Sequence, residues 1–282
     1  MKFGDTLKKI RLSRKITQSS LTYGQLSHTS ISKIENNLTT PSYNNALYLI
    51  EQLGLTVGEF EYIRNNCQQS PKQALIQAFT QLSLLSSRTQ LQQFIGDCQT
   101  YLKRNFDQDI ARLVIVVTAL QEVKKHQYAS ARRLVEPVWY YLSELNLWTR
   151  LDLYLVNDIL YFFDSKMAVQ VMLQVLKVLQ SKYPQLGELK LALVLNTSTI
   201  TLAAQDFKQT QILLQFAGKL AQKLPRYDLW ILAQLRLKLC LQQYNAAMVQ
   251  CELLEEIGAH DLAQEALYEI QRLARVAPGV NS

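Results

Sequence analysis

The chain has 282 residues, 48% of them hydrophobic, with nine Gly, six Pro and a net charge of +7 from 30 basic and 23 acidic side chains. That length supplies one or two domains with ample core, and the scarcity of loop-forming residues points to helices. Four cysteines without CxxC spacing and three scattered histidines, His28, His126 and His260, argue against a metal site or a disulfide framework, and early charges at Lys2, Asp5, Lys8 and Lys9 argue against a secretory leader.

Phe3, Leu7, Ile10 and Arg14 fall at helical spacing and predict a first helix over residues 3–14. Thr17 is a natural cap for a second helix running to Tyr23, with Leu21 facing inward, and Gly24 permits the turn that follows. Ser27 caps a third helix over 28–36, whose buried stripe is Ile31 and Ile34. Asn37 stands where a left-handed residue would stop that helix. Pro41 and Ser42 open a fourth helix with Ala46, Leu47, Ile50 and Leu53 on its inner side, ended by Gly54. Thr56 caps a fifth, over 57–63, with Phe60 covering the core. Residues 1–66 hold eight Lys/Arg against five acids, and the rest holds 22 against 18 over more than three times the length. The denser basic excess at the N-terminus gives weak support for phosphate contacts.

The polar run RNNCQQSP at 64–71 reads as a linker. The expected division is a domain over 1–65, a linker over 66–71 and a second domain over 72–282. Beyond the linker the pattern predicts helices over 72–86, 89–105, 108–125, 129–145, 149–162, 165–181, 186–204, 208–224, 227–243, 245–257 and 261–276. Short connections make neighbouring helices antiparallel hairpins. An aromatic precedes the second helix of several hairpins, at Tyr128, Phe163, Phe207 and Tyr244, with gaps of 35, 44 and 37 residues. That is the period of tetratricopeptide-like (TPR-like) pairs, which stack into a superhelix with a concave face. The clearest unit is WILAQLRLKLCLQQYNAAMVQCELLEEIG at 230–258. An irregular helical bundle is the competing architecture. The uncharged stretch 191–205 carries Asn196, Thr197, Ser198, Thr199 and Thr201 and falls short of the ~20 apolar residues of a membrane helix. A soluble, cytoplasmic protein without membrane attachment is expected.

Arg11, Thr17-Gln18, Ser27, Ile31-Ser32-Lys33-Ile34-Glu35, Pro41-Ser42 and Leu53-Gly54-Leu55-Thr56 resemble the Cro-like (XRE) helix-turn-helix domains. With the helical array behind it, the run GDTLKKIR…ITQ…LTYGQLSHTSISKIEN is similar to the Rgg/MutR group within the RRNPP class of peptide-sensing regulators. The implied fold is all-α: a five-helix Cro-like helix-turn-helix domain followed by a TPR-like α-solenoid. The resemblance implies that Gln18 binds a backbone phosphate, that His28, Thr29 and Ser30 face base edges, and that Ser32 and Lys33 reach bases or phosphates one turn later. The plain alternative for His28 is an exposed surface residue. Arg11 and Glu35 match a structural ion pair of that family. The implied partners are double-stranded promoter DNA, a short hydrophobic signalling peptide and a second copy of the chain.

In a concave groove, Asn amides pair with both polar groups of an extended peptide backbone. Asn157 and Asn196 lie 39 residues apart in otherwise apolar helices and are candidates for that role, with a satisfied interhelical amide as the alternative for each. Arg150 is a candidate for a peptide carboxylate and Trp230 for an apolar wall, against plain surface or core roles. A second reading keeps DNA binding but lets the repeats dock a protein, such as RNA polymerase. An enzyme is disfavoured, because the chain has no Gly-rich phosphate loop, GxSxG or HExxH, and no cofactor or metal is expected.

Overall fold

The computed structural model describes residues 1–22, 24–82, 86–125 and 127–276. Tyr23, residues 83–85 of the helix expected over 72–86, and His126 lie outside the described residues. The described chain is helical without strands, and it divides into two compact units, Met1–Leu75 and Ile76–Ser282.

The first unit contains α1 (Phe3–Ser13), a 3-10 turn (Ser19–Leu21), α2 (His28–Glu35), α3 (Tyr43–Gln52), α4 (Val57–Arg64) and the start of α5 (Pro71–Thr80). Its core is Leu7, Ile10, Leu21, Ile31, Ile34, Leu49, Ile50, Leu53 and Phe60. Ser27, Ser42 and Thr56 each accept a hydrogen bond from the backbone N–H three residues on, so α2, α3 and α4 begin where small hydroxyls stop the chain from extending the helix backward. The second expected helix is only the single 3-10 turn. Thr17 Oγ1 caps it, accepting from the Ser20 N–H at 3.1 Å and bonding Ser20 Oγ at 2.7 Å, but Leu21 alone is buried there, too little packing to extend the turn into a helix. In α3 the deep position belongs to Leu49, and Ala46 and Leu47 are half-buried.

Asn37 does take left-handed backbone, at φ 55°. Its side chain then turns back on α1: Oδ1 accepts from the Gly4 N–H at 3.1 Å and Nδ2 donates to Asp5 Oδ1 at 2.6 Å. Gly4 allows this approach, since a Cβ there would lie 2.0 Å from the Ile34 carbonyl oxygen.

The second unit holds the rest of α5, then α6 (Arg88–Leu102), α7 (Gln108–Lys124), α8 (Tyr128–Ser143), α9 (Arg150–Ile159), α10 (Ser165–Lys182), α11 (Gly187–Ala203), α12 (Phe207–Lys223), α13 (Tyr227–Cys240), α14 (Tyr244–Glu256) and α15 (His260–Val276). A 3-10 turn, Leu160–Phe162, finishes α9. Tyr128, Phe207 and Tyr244 are the first residues of α8, α12 and α14, and Phe163 directly precedes the cap of α10. Consecutive helices pack together from α6 to α9 and from α10 to α15, and alternate helices also meet: α9 touches α7 and α11, and α15 touches α13. That pattern is a TPR-like solenoid. Three connections share one closure: the left-handed residue Gln205, Gln242 or Gly258 lets the next N–H reach back five residues, to Thr201, Lys238 and Leu254. The hydroxyls of α11 are absorbed internally. Thr197 Oγ1 donates to the Leu193 carbonyl and Ser198 Oγ to that of Leu195, and Thr210 of α12 donates to Thr201 Oγ1 at 2.8 Å. No described helix is long and apolar enough to cross a membrane.

Candidate functional site

In the first unit, α2 stands on Ile31 and Ile34 and turns His28, Thr29 and Lys33 outward, all three exposed. Ser32 is half-buried. Ser30 is drawn into the helix cap, its N–H on Ser27 Oγ at 3.1 Å and its hydroxyl 2.9 Å from the same oxygen. Under α2, Arg11 grips Glu35 with Nε at 2.5 Å and Nη2 at 2.8 Å, and its Nη1 donates to the Ile16 carbonyl at 2.9 Å. Gln18 Nε2 completes the cluster by donating to Glu35 Oε2 at 2.7 Å. One N–H of Gln18 is thus committed inward, and its second N–H is what remains for a phosphate. Burial opposes ionisation of Glu35, but the bonds from Arg11 and Gln18 outweigh it and hold the carboxyl below its usual range.

In the second unit a cleft of about 330 Å³ opens along the alternate helices. Its lining includes Phe79 of α5, Leu120 of α7, Tyr154, Asn157 and Asp158 of α9, Tyr161 of the 3-10 turn, Asn196 of α11 and Leu229 of α13. The two candidate asparagines meet there: Asn196 Nδ2 donates to Asn157 Oδ1 at 3.1 Å, and Asn157 Nδ2 donates to Asp158 Oδ1 at 3.0 Å. Beside the cleft, Arg236 of α13 holds Glu269 of α15 at 2.7 and 2.9 Å and reaches the Leu195 carbonyl of α11 at 3.5 Å. Burial pushes the Asp158 carboxyl up to about 7 against the opposing bond from Asn157, and burial also raises the Tyr161 phenol.

The other two candidates do not line this cleft. Arg150 is the first residue of α9, exposed, with its guanidinium 5.9 Å from the Tyr154 ring centre. It lies nearly two turns from Asn157, and it reaches the cleft only through Tyr154, whose ring lines the wall. Trp230 packs over Gly218 of α12, where a Cβ would sit 3.8 Å from the indole, so it serves a helix–helix seam. Sequence reasoning missed Asp158 and Tyr161. The available signal was the lone charge of Asp158 in the apolar run LYLVNDILYFF. A larger depression of about 730 Å³ between α8 and α10, lined by Arg132, Arg133, Trp139, Phe163 and Met167, shares no residue with the cleft. Three thiols are buried, with Cys98 pushed up to about 12 and Cys240 to about 11 by burial, while Cys67 is exposed.

Residues 7–60 match the helix-turn-helix family, and residues 97–231 match the family described as the C-terminal domain of the HTH-type transcriptional regulator Rgg. The chain carries a helix-turn-helix domain followed by an Rgg C-terminal domain. No curated protein matches it. Among solved structures, the fold of this chain is similar to the SHP pheromone receptor Rgg2 of Streptococcus dysgalactiae, with TM-score 0.65, 15% identity and coverage of 96% of this chain and 99% of that one. It is also similar to a putative transcriptional regulator of Listeria monocytogenes EGD-e, with TM-score 0.68, 12% identity and coverage of 97% of each chain. PlcR of Bacillus thuringiensis, solved in complex with the peptide PapR7 and DNA, aligns with TM-score 0.63, 16% identity and coverage of 93% of this chain and 98% of that one. At these identities the likeness establishes the fold: a helix-turn-helix unit joined to TPR-like repeats. The chain is accordingly a transcription regulator and not an enzyme.

Proposed function

We propose that this regulator acts in the cytoplasm as a homodimer on promoter DNA and is switched by a short hydrophobic peptide bound in the cleft of its repeat unit. The observation that carries the peptide reading is the Asn157–Asn196 pair within the cleft. Asn196 spends one N–H on Asn157 and keeps a carbonyl oxygen and a second N–H, the two partners an extended backbone requires. The apolar walls of Phe79, Leu120 and Leu229 suit a hydrophobic guest. PlcR was solved with both a peptide and DNA, and a ComR chain of the same fold with DNA and its signalling peptide, which agrees with this reading.

On the DNA side, Thr29, Ser32 and Lys33 are the side chains proposed for base and phosphate contact, with His28 flanking them and Gln18 at the backbone. Ser30 contributes chiefly as part of the cap. A two-fold dimer reads half-sites about 34 Å apart or a multiple of it. Contact with RNA polymerase would be the outward step of an activating complex.

The peptide reading is tested by titrating the full chain with pooled hydrophobic octapeptides and following its melting temperature. Binding raises it, and replacing both Asn157 and Asn196 by Ala should weaken binding by tenfold or more, about 1.4 kcal/mol. If no pool shifts the wild-type chain, the peptide reading fails.

A further inference from the structure

The charges around the cleft are unbalanced. Among the described residues Arg226 is its one lining guanidinium, and it is already spent: Nε and Nη2 hold Asp228 at 3.0 and 2.7 Å, with Glu188 adding to the negative field around it. Arg236 is likewise occupied by Glu269 at 2.7 Å, with Glu265 3.8 Å away. Two further cations act on this side: Lys124 of α7, which bears on Glu265, and Arg150, exposed at the start of α9 with its guanidinium 5.9 Å from the ring centre of the cleft residue Tyr154. Against these stand Asp158, Glu188, Glu265 and Glu269. Asp158 lies on the cleft wall, and its bond partner is a neutral amide, Asn157. The phenol of Tyr161, held neutral by burial, lines the cleft three residues further along.

Such a wall does not suit an anionic peptide terminus, because the lining guanidinium that could neutralise it, Arg226, is already committed to Asp228. It suits a positive one. We propose that the guest of this cleft presents a cation, an ammonium or guanidinium group, which seats on Asp158 while the Asn157–Asn196 pair holds its backbone. The proposal rests on the peptide reading above and adds the chemical class of the peptide: apolar overall, with one positive group from a lysine, an arginine or a free N-terminus. The aromatic ring of Tyr161 offers a further face to that cation.

A pH dependence follows with a definite sign. The empty cleft keeps Asp158 near half-protonated at neutral pH, by burial. A cation needs the ionised carboxylate, so below about pH 7 binding must expel a proton. Affinity for a peptide whose cation is a lysine or arginine side chain should be flat above that pH and fall by roughly tenfold between pH 8 and pH 6, whereas a terminal amine, itself titrating at about 8, should bind best between those limits. A neutral peptide should show no such fall.

The experiment uses the full chain and pooled octapeptides of Leu, Ile, Val and Phe. One position is fixed in turn as Lys, norleucine or Glu, and each pool is prepared with a free or an acetylated N-terminus. Acetylated lysine pools at one position, or free-amine pools, should bind at least tenfold tighter than acetylated norleucine pools and tighter still than glutamate pools. The two arms distinguish a side-chain cation from a terminal one. Asp158→Asn should erase the advantage of the cationic pools over the norleucine pools. Should that variant melt early, the pH 8 to pH 6 comparison on the wild-type chain decides the matter without it. If norleucine or glutamate pools bind as tightly as the cationic ones, the cation is refuted and the peptide site stands. If no pool binds at all, both readings fall together.

Discussion

Glu35 is 1% exposed and receives two hydrogen bonds from Arg11 and one from Gln18. An isolated carboxylate in that position would be strongly disfavoured, so the pair is costly to break and of small net benefit when intact. Glu35→Ala leaves the Arg11 guanidinium buried and unpaired, and should lower the stability of the first unit by about 3–5 kcal/mol in urea denaturation. Replacing both partners by apolar residues, Arg11→Met with Glu35→Leu, should recover most of that loss. The pH sign follows from the depressed carboxyl. Its contribution is full above the ordinary glutamate value of about 4.3 and is lost as pH falls through the lower folded value. The Arg11→Met/Glu35→Leu chain should therefore show a flatter stability profile below pH 4 than the wild type. An equal acid slope in both chains would show that Glu35 is not the group that titrates.

At the scale of helices, α1 closely approaches the end of α2, where Gly4 lies beneath the Ile34 carbonyl. Gly4→Ala would normally favour a helix, yet here the added carbon meets backbone at 2.0 Å. The clash should outweigh the propensity gain and cost about 1–3 kcal/mol, read as a lower urea midpoint at unchanged slope. A midpoint equal to or above wild type would mean that α1 slides freely. Nothing in the sequence around Gly4 signals this contact, because close approach depends on a residue 30 positions away. The same distinction runs through the chain. The helices beyond residue 71 were legible because apolar period and local caps act within one segment. So was the start of α4, where Thr56 and Glu59 form a capping box. The second expected helix shrinks to a single turn although Thr17 caps it, because Leu21 alone is buried there and packing does not extend it. Gln205 and Gln242 adopt left-handed backbone without the Gly that marks the equivalent turn at Gly258, so their closure was not readable. In the cleft, Asn157 and Asn196 were legible as polar interruptions of apolar helices. Trp230 was not, because its side chain serves a glycine on the adjacent helix.

For the molecule as a whole, a peptide in the repeat unit can alter promoter occupancy only if it binds better to one arrangement of the DNA-reading units than to another. Linkage then requires that operator DNA change peptide affinity by the same factor that peptide changes DNA affinity. The two functions should nonetheless be separable by mutation, since the exposed residues of α2 and the cleft lie in different compact units. Thr29→Ala with Lys33→Ala removes two exposed side chains that are not part of the Arg11–Glu35–Gln18 cluster. Stability should stay within about 0.5 kcal/mol of wild type, as for surface changes without special partners. Operator affinity should fall at least tenfold, with a smaller salt dependence from the lost lysine. Peptide affinity without DNA should be unchanged, and the response of peptide affinity to added operator should vanish at DNA concentrations that saturate the wild type. Unaltered operator binding by a properly folded double variant would remove α2 from the DNA interface, and a peptide affinity lost along with it would show that the two sites are not independent.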